Sequence, residues 1–541
     1  MVKKKPGILA LCILFLCIFT LACGNEVQES DISRQAFEMQ RITYNLGTEP
    51  ETLDPAAATG APEGTVQLAL FEGLVRLDKN NRPVPGMAKK WKISDNGRKY
   101  VFYLRDAEWS NGDPVTAYDF EYAWKRLLNP ELAHSYAYQL YYLKNGEAYN
   151  GQKAKAEDVG VKALDSKTLI VELNQVTPYF LSLTAFPALY PVNKKVVEKH
   201  SDWHASPENF ISNGPFKLVK WEHDQKLVLE KNPNYWAADD VKLNTIIMTM
   251  VGSDDTELTM FETDQIDIAE NPPFQEMARL LAEKKAAIYP DLSVDFYVLN
   301  TDKKPLNDVR VRKALSLAIN RRQLIDNVTQ AYEKPAFALV PFGVTDIKNR
   351  DFRKNGGNYF QEDVEQAQKL LADAGFPNGK NFPVLKISYN EREAHQKVSE
   401  AIQEMWKANL GINVKLVNRE WKVYGNAIKT GDFDIIRAGW VPDYDDAMTY
   451  LDLWAKSGFG MFYTGWENTE YDKLILAARE NSDLVSRSSQ LHQAEAILME
   501  EMVIIPLFFC TNQNMYKPWV KGVVVPTLGA YQEFRWAYIE K

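Results

Sequence analysis

Hydrophobic and polar positions follow two periods along this chain. Tyr100, Phe102 and Leu104 alternate with polar neighbours, the period of a half-buried strand, and Asn96-Gly97 ahead of them supplies a hairpin turn. Asn111-Gly112-Asp113-Pro114 forms a second turn, and Thr116 then serves as N-cap of a helix running through Leu128. Nearer the start, "ITYNL" reads as a first strand, "EPETLDP" as a turn-rich exit and "TVQLALFEGLV" as helix. From about residue 293 strands and helices alternate. Val311, Leu315, Ala318 and Ile319 share one helical face behind Asn307 or Asp308 as cap. Ala367, Leu370, Leu371 and Ala374 share another, closed by Gly375 and Pro377. Leu385, Ile387 and Tyr389 alternate, a helix extends to about Leu410, and Ile412, Val414 and Leu416 alternate again. That β-α-β order predicts a largely α/β domain.

The first residues stand apart from this pattern. Lys3, Lys4 and Lys5 precede an uncharged apolar run over 7–22, too short for a membrane span and suited to an export signal. It ends "TLACGN", which resembles a lipoprotein signal peptide with Cys23 as the lipidated new N-terminus. Residues 23–41 are polar and aperiodic, and read as a flexible tether between lipid and fold. Loss of the three lysines takes the formal charge from −9 to −12, a poor balance for binding nucleic acid. Cys12 and Cys17 leave with the leader, so Cys510 has no partner for a disulfide and reads as an inert thiol in an apolar run. At 541 residues the chain predicts several domains.

Charge and aromatics converge in "DIIRAGWVPDYDD", Asp434 to Asp446, where an apolar run meets Arg437, Trp440 and Asp443. No phosphate loop or G-x-S-x-G elbow is present in the sequence. His200 and His204 have a zinc-like spacing without the glutamate of a metalloprotease helix. The acids of 443–446 lack the glycine and terminal glutamate of a calcium loop. No catalytic constellation emerges, and no metal or cofactor is expected.

The blocks "LFEGLV", "YVFYLRDAEWSNGDPVTAYDFEYAW", "SNGPFKLVKW", "NDVRVRKALSLAINR" and "FDIIRAGWVPDYDDAMTYL" follow one another in an order that resembles the extracytoplasmic oligopeptide-binding proteins of ABC transporters, from about residue 42 to the end. The resemblance implies a mixed α/β fold of the type II periplasmic-binding-protein kind, with two lobes, a hinge and an extra domain. It puts lobe I at 42–71 with 196–292 and 511–541, the extra domain at 72–195, and lobe II at 293–510. It further implies a short peptide held as an added strand between Thr59-Gly60-Ala61 and Ala438-Gly439-Trp440. Asp443 would take the peptide's α-ammonium, Arg437 and His395 would meet negative ligand groups, and Trp421 would line a pocket. Val298 stands where some members carry an acid, which implies altered handling of charged ligand groups, in the direction of anionic ones such as murein peptides.

The expected function is therefore that of a monomeric lipoprotein, exported and lipid-anchored to the cell membrane, facing periplasm or exterior. It would deliver peptides to an ABC permease without catalysis. Competing readings are a murein peptide, nickel chelate, haem or sugar on the same fold, and a secreted hydrolase using Asp443.

Overall fold

The computed structural model describes residues 40–79, 82–94, 97–270, 272–456 and 462–540. The leader, Cys23 and nearly all of the tether lie outside them. Gln40 and Arg41, read as the tether's end, belong to the folded part. The Gln40 side chain donates to Ile539 O (2.9 Å) and accepts from Ile539 N (3.1 Å), and Arg41 opens the first strand.

A mixed sheet of eleven strands runs through the molecule. One wing places Arg41–Asn45 parallel to Thr245–Thr249, flanked by Ile268–Glu270 and by the antiparallel pair Phe216–Glu222 and Lys226–Lys231. The other places Leu385–Asn390 parallel to Val414–Arg419 and to the start of Ile435–Trp440. Parallel strands need both faces covered, and the apolar runs supply this: Ile42, Tyr44, Ile246, Met248, Ile387 and Ile435 are all buried.

Two long antiparallel strands, Ala286–Leu299 and Ile504–Tyr516, join the wings. Ala286–Pro290 pairs with Thr511–Met515 in the first wing, Val294–Val298 with Ile504–Phe509 in the second, and the register breaks between Pro290 and Val294. Polar groups at the break have partners. The Tyr450 hydroxyl donates to Leu292 O (2.6 Å), and Asp291 accepts from the Ser293 amide (3.1 Å) and hydroxyl (2.6 Å). Cys510 lies opposite this break. It is a free cysteine, partly buried and packed against the core of the second wing, and burial together with Asp295 and Asp291 pushes its ionisation well above the usual range, as an inert thiol requires.

A separate four-stranded antiparallel sheet orders Ala88–Ser94, Lys99–Leu104, Thr168–Glu172 and Val161–Asp165. Tyr100, Phe102 and Leu104 point inward as their alternation predicts, against Phe120, Trp124 and Leu127 of helix Ala117–Leu127. Thr116 starts that helix, its amide and hydroxyl both donating to Asp119 (2.8 and 2.9 Å). In the later α/β region the predicted helix over Val311–Ile319 ends at Leu317, because Asn320 caps a new turn by accepting from Gln323 N (2.9 Å). Ala318 and Ile319 stay buried beyond its end.

Candidate ligand-binding cleft

Ligands of open α/β sheets sit beyond the carboxyl ends of the parallel strands. Here the loop after Arg41–Asn45 meets the loop after Ile435–Trp440 around a cavity of about 110 Å³, lined by Thr59, Gly60, Gln67, Tyr136, Pro442 and Asp443 among others. The first loop is held by a two-pronged ion pair, Arg126 Nη1 and Nη2 to Asp54 Oδ1 and Oδ2 (2.9 and 2.5 Å).

Thr59-Gly60-Ala61 is not a strand. Thr59 and Gly60 are exposed, Gly60 is extended (φ −101°, ψ 159°), and Ala61 begins the helix Ala61–Leu70. A Cβ on Gly60 would lie 2.3 Å from Glu63 Oε2, so the glycine lets Glu63 fold back and accept Glu51 N (2.7 Å). Of these three residues, Gly60 offers extended backbone to the cleft, with Thr59 beside it on the lining.

The facing strand is Ile435–Trp440. One edge pairs with the hinge strand along its whole length, from Leu299↔Ile435 to Val294↔Trp440. The other edge pairs with Leu385–Asn390 only at Ile435 and Ile436, so among the described strands Arg437 to Trp440 has no partner on that side. Ala438 is buried on the opposite face from Arg437, and the Trp440 indole N–H donates to Thr449 Oγ1 (3.2 Å) beside Phe462. Gly439 lies opposite Asp295, and a Cβ there would stand 3.2 Å from Val294 O and 3.4 Å from Arg437 Nη2.

The acids at 443–446 have separate fates. Asp446 is held by both Nη atoms of Arg487 (2.8 Å each), and Asp445 accepts from the Thr345 amide (2.8 Å) and hydroxyl (2.6 Å). Tyr444 stacks on Tyr179 at 4.2 Å, joining the second wing to the extra domain. Asp443 faces the cavity, 7% exposed, and its Oδ2 accepts from Tyr138 Oη (3.0 Å) and Gln139 Nε2 (2.6 Å). Burial pushes its carboxyl up to about 7 against the pull of these two neutral donors.

Arg437 and His395, which the resemblance turns toward negative ligand groups, have these surroundings in the structure. Arg437 already has a carboxylate: its Nε donates to Asp295 Oδ2 (2.9 Å) and its Nη2 contacts the same oxygen. His395, near the start of helix Glu393–Leu410, is held neutral, its ionisation lowered to about 2 by burial and then by Arg437 and Arg392. Its Nδ1 is buried without a hydrogen-bond partner. Trp421 opens the helix Trp421–Thr430, and its side chain lies outside the described residues.

Four contributors escaped the sequence reading. Tyr138 and Gln139 come from another domain, and Gln67, with its Nε2 buried and unpartnered at the cavity, sits in an ordinary helix. Asp295 did leave a signal, an acid inside the apolar run "VDFYVL".

Two lobes on a strand hinge, with an unpaired strand edge and a buried carboxyl at the junction, define a hinged ligand-binding protein. The profile "Bacterial extracellular solute-binding proteins, family 5 Middle" matches residues 82–461, and the chain belongs to that family. It is 39% identical over 551 residues to the oligopeptide-binding protein OppA of Bacillus subtilis (strain 168), covering 99% of this chain and 100% of that one. The structure is similar to the substrate-binding domain of an oligopeptide ABC transporter from Bacillus anthracis str. Ames (TM-score 0.82, 33% identity, 93% of this chain and 99% of that one). It is also similar to the murein tripeptide binding protein MppA of Escherichia coli (TM-score 0.81, 35% identity, 93% and 98%). Against an unliganded open form of MppA the TM-score is 0.72, so the lobes here stand further from that open arrangement. Among the described residues no helix is long and apolar enough to cross a membrane.

Proposed function

We propose that this protein binds short oligopeptides between its lobes and passes them intact to an ABC permease. One observation carries the reading: among the described strands none pairs with the second edge of Arg437 to Trp440, where Tyr424 Oη donates to Arg437 O (2.7 Å), and this edge runs toward a buried carboxyl, Asp443, that accepts from neutral donors. A peptide laid along that edge gains main-chain hydrogen bonds whatever its side chains, and its α-ammonium completes Asp443. Thr59 and Gly60 face it from the other side, just ahead of the helix that Ala61 opens; Ala438, Gly439 and Trp440 supply the edge and a wall. Trp421 and His395 belong to the same ligand-binding set in this reading.

In this reading lobe I is 42–71 with 196–292 and 511–541, the extra domain is 72–195, lobe II is 293–510, and closure turns on the register break at 291–293. The protein is a monomer without catalytic activity, exported and lipid-anchored through Cys23 to the cell membrane, where it meets the permease. The relatives support the peptide, since those most similar are named as oligopeptide, dipeptide and murein-peptide binders. Titration calorimetry with a tetrapeptide tests the site. A free amino terminus should give saturable one-to-one binding that N-acetylation weakens strongly; no binding, or indifference to acetylation, rejects it.

A further inference from the structure

The Arg437–Asp295 pair bears on which peptides the cleft accepts. Asp295 lies directly opposite Gly439 on the hinge strand, and Arg437 lies opposite Tyr297, so the two are diagonal neighbours on one face of the sheet. The guanidinium reaches Asp295 across the space that Gly439 leaves, because a Cβ there would stand 3.4 Å from Nη2. Both side chains are largely buried, 19% exposed for Arg437 and 7% for Asp295. Nothing about the pair requires a ligand: the arginine's charge is met from within the protein.

We propose that Asp295 is a resident counter-ion that makes this part of the cleft electrically neutral, so that the protein selects peptides bringing no carboxylate to Arg437. The proposal rests on the peptide-binding reading and names its substrate class. A ligand carboxylate arriving there must either leave Asp295 without its cation or add a second negative charge beside it, and both are costly in a dehydrated site. A neutral group, such as an interior peptide unit of a longer ligand or an uncharged side chain, meets no such penalty. Neutral His395 offers no second cation for the displaced acid. This reverses the expectation drawn from Val298 alone, that the cleft turns toward anionic ligands.

A ligand strand anchored at Asp443 and advancing ~3.3 Å per residue along Trp440 to Ala438 reaches Arg437 after about two or three residues. The test is calorimetry with alanine peptides of two to five residues, each as free acid and as carboxamide, on the full chain. At the length whose C-terminus reaches Arg437, wild type should bind the carboxamide at least tenfold more tightly than the acid, a gap that shrinks for longer peptides. Asp295→Asn should improve binding of that acid tenfold or more and abolish the preference. Acids binding wild type as well as carboxamides at every length, or a folded Asp295→Asn that leaves the acid's affinity unchanged, overturns the proposal while peptide binding stands. No binding of any member overturns both. The wild-type series decides the matter even where the variant fails to fold.

Discussion

Asp443 holds a carboxyl whose hydrogen bonds come from two neutral donors, and this arrangement has a pH signature. Its ionisation in the ligand-free structure is raised to about 7 by burial, from an ordinary carboxylate value. The protonated form therefore stabilises the arrangement seen here; that contribution is complete below about pH 4 and is lost as pH rises through about 7. A bound ammonium favours the carboxylate instead, so peptide affinity should climb from pH 5 to about 7 with release of a proton. It should fall again above about 8, where the peptide's own α-amino group loses its charge. Calorimetry in two buffers of different ionisation enthalpy reads the released proton, and a flat profile between pH 5 and 7 contradicts this role. Asp443→Asn should weaken a free peptide by about a hundredfold, since stranding a buried charge costs about 3–5 kcal/mol and about 1.4 kcal/mol is tenfold. N-acetylation should then cost the variant little, because both changes delete one contact. Additive losses in that cycle would make Asp443 structural. The anchor itself was legible from an acid following a strand and a turn. Its donors were not, because Tyr138 and Gln139 stand some three hundred residues away in sequence.

At the scale of elements, local rules were enough wherever the chain satisfies itself locally. The hairpin strands Ala88–Ser94 and Lys99–Leu104, the Thr116 cap and the Gly375 stop (φ +96°) all follow from neighbours within a few residues. Thr59-Gly60-Ala61 forms no strand of its own, because the local signal, Pro62 in a first helical turn, favours the helix that begins at Ala61. Buried ion pairs between elements were invisible for the same reason. Arg353, on the short helix Phe352–Gly356, meets Glu495 of helix Leu484–Glu501 at 2.7 Å with both side chains fully buried, and Glu495 also accepts from the amides of Leu339 and Val340. Arg353→Met should therefore destabilise the second lobe by about 3–5 kcal/mol in urea unfolding, leaving a buried carboxylate without its cation. A loss below about 1 kcal/mol would show that the amides alone suffice.

For the whole molecule, the alternation of strands and helices announced an α/β domain, but the sheet order could not be read. Arg41–Asn45 and Ile504–Tyr516 lie far apart in sequence, yet only Ile268–Glu270 separates them in the sheet. That order creates the hinge, since two long strands serve both lobes and shift register between them, at Pro290/Val294 and again at Asp295/Phe296. Contacts across the lobes, Tyr444 on Tyr179 and Asp443 with Tyr138 and Gln139, should form on closure and part on opening. Small-angle scattering should accordingly show compaction when a binding peptide saturates the protein, and an unchanged profile at saturation would deny the hinge its role. The central claim, that the cleft holds peptides by their main chain and releases them uncut, is tested most directly by incubating the pure protein with a mixed-sequence library of short peptides. The protein is then separated, denatured and its contents read by mass spectrometry. The account predicts about one intact peptide per protein, narrow in length, diverse in sequence and free at the amino terminus. Recovery of no peptide, or of cleaved products in excess of the protein, would contradict it.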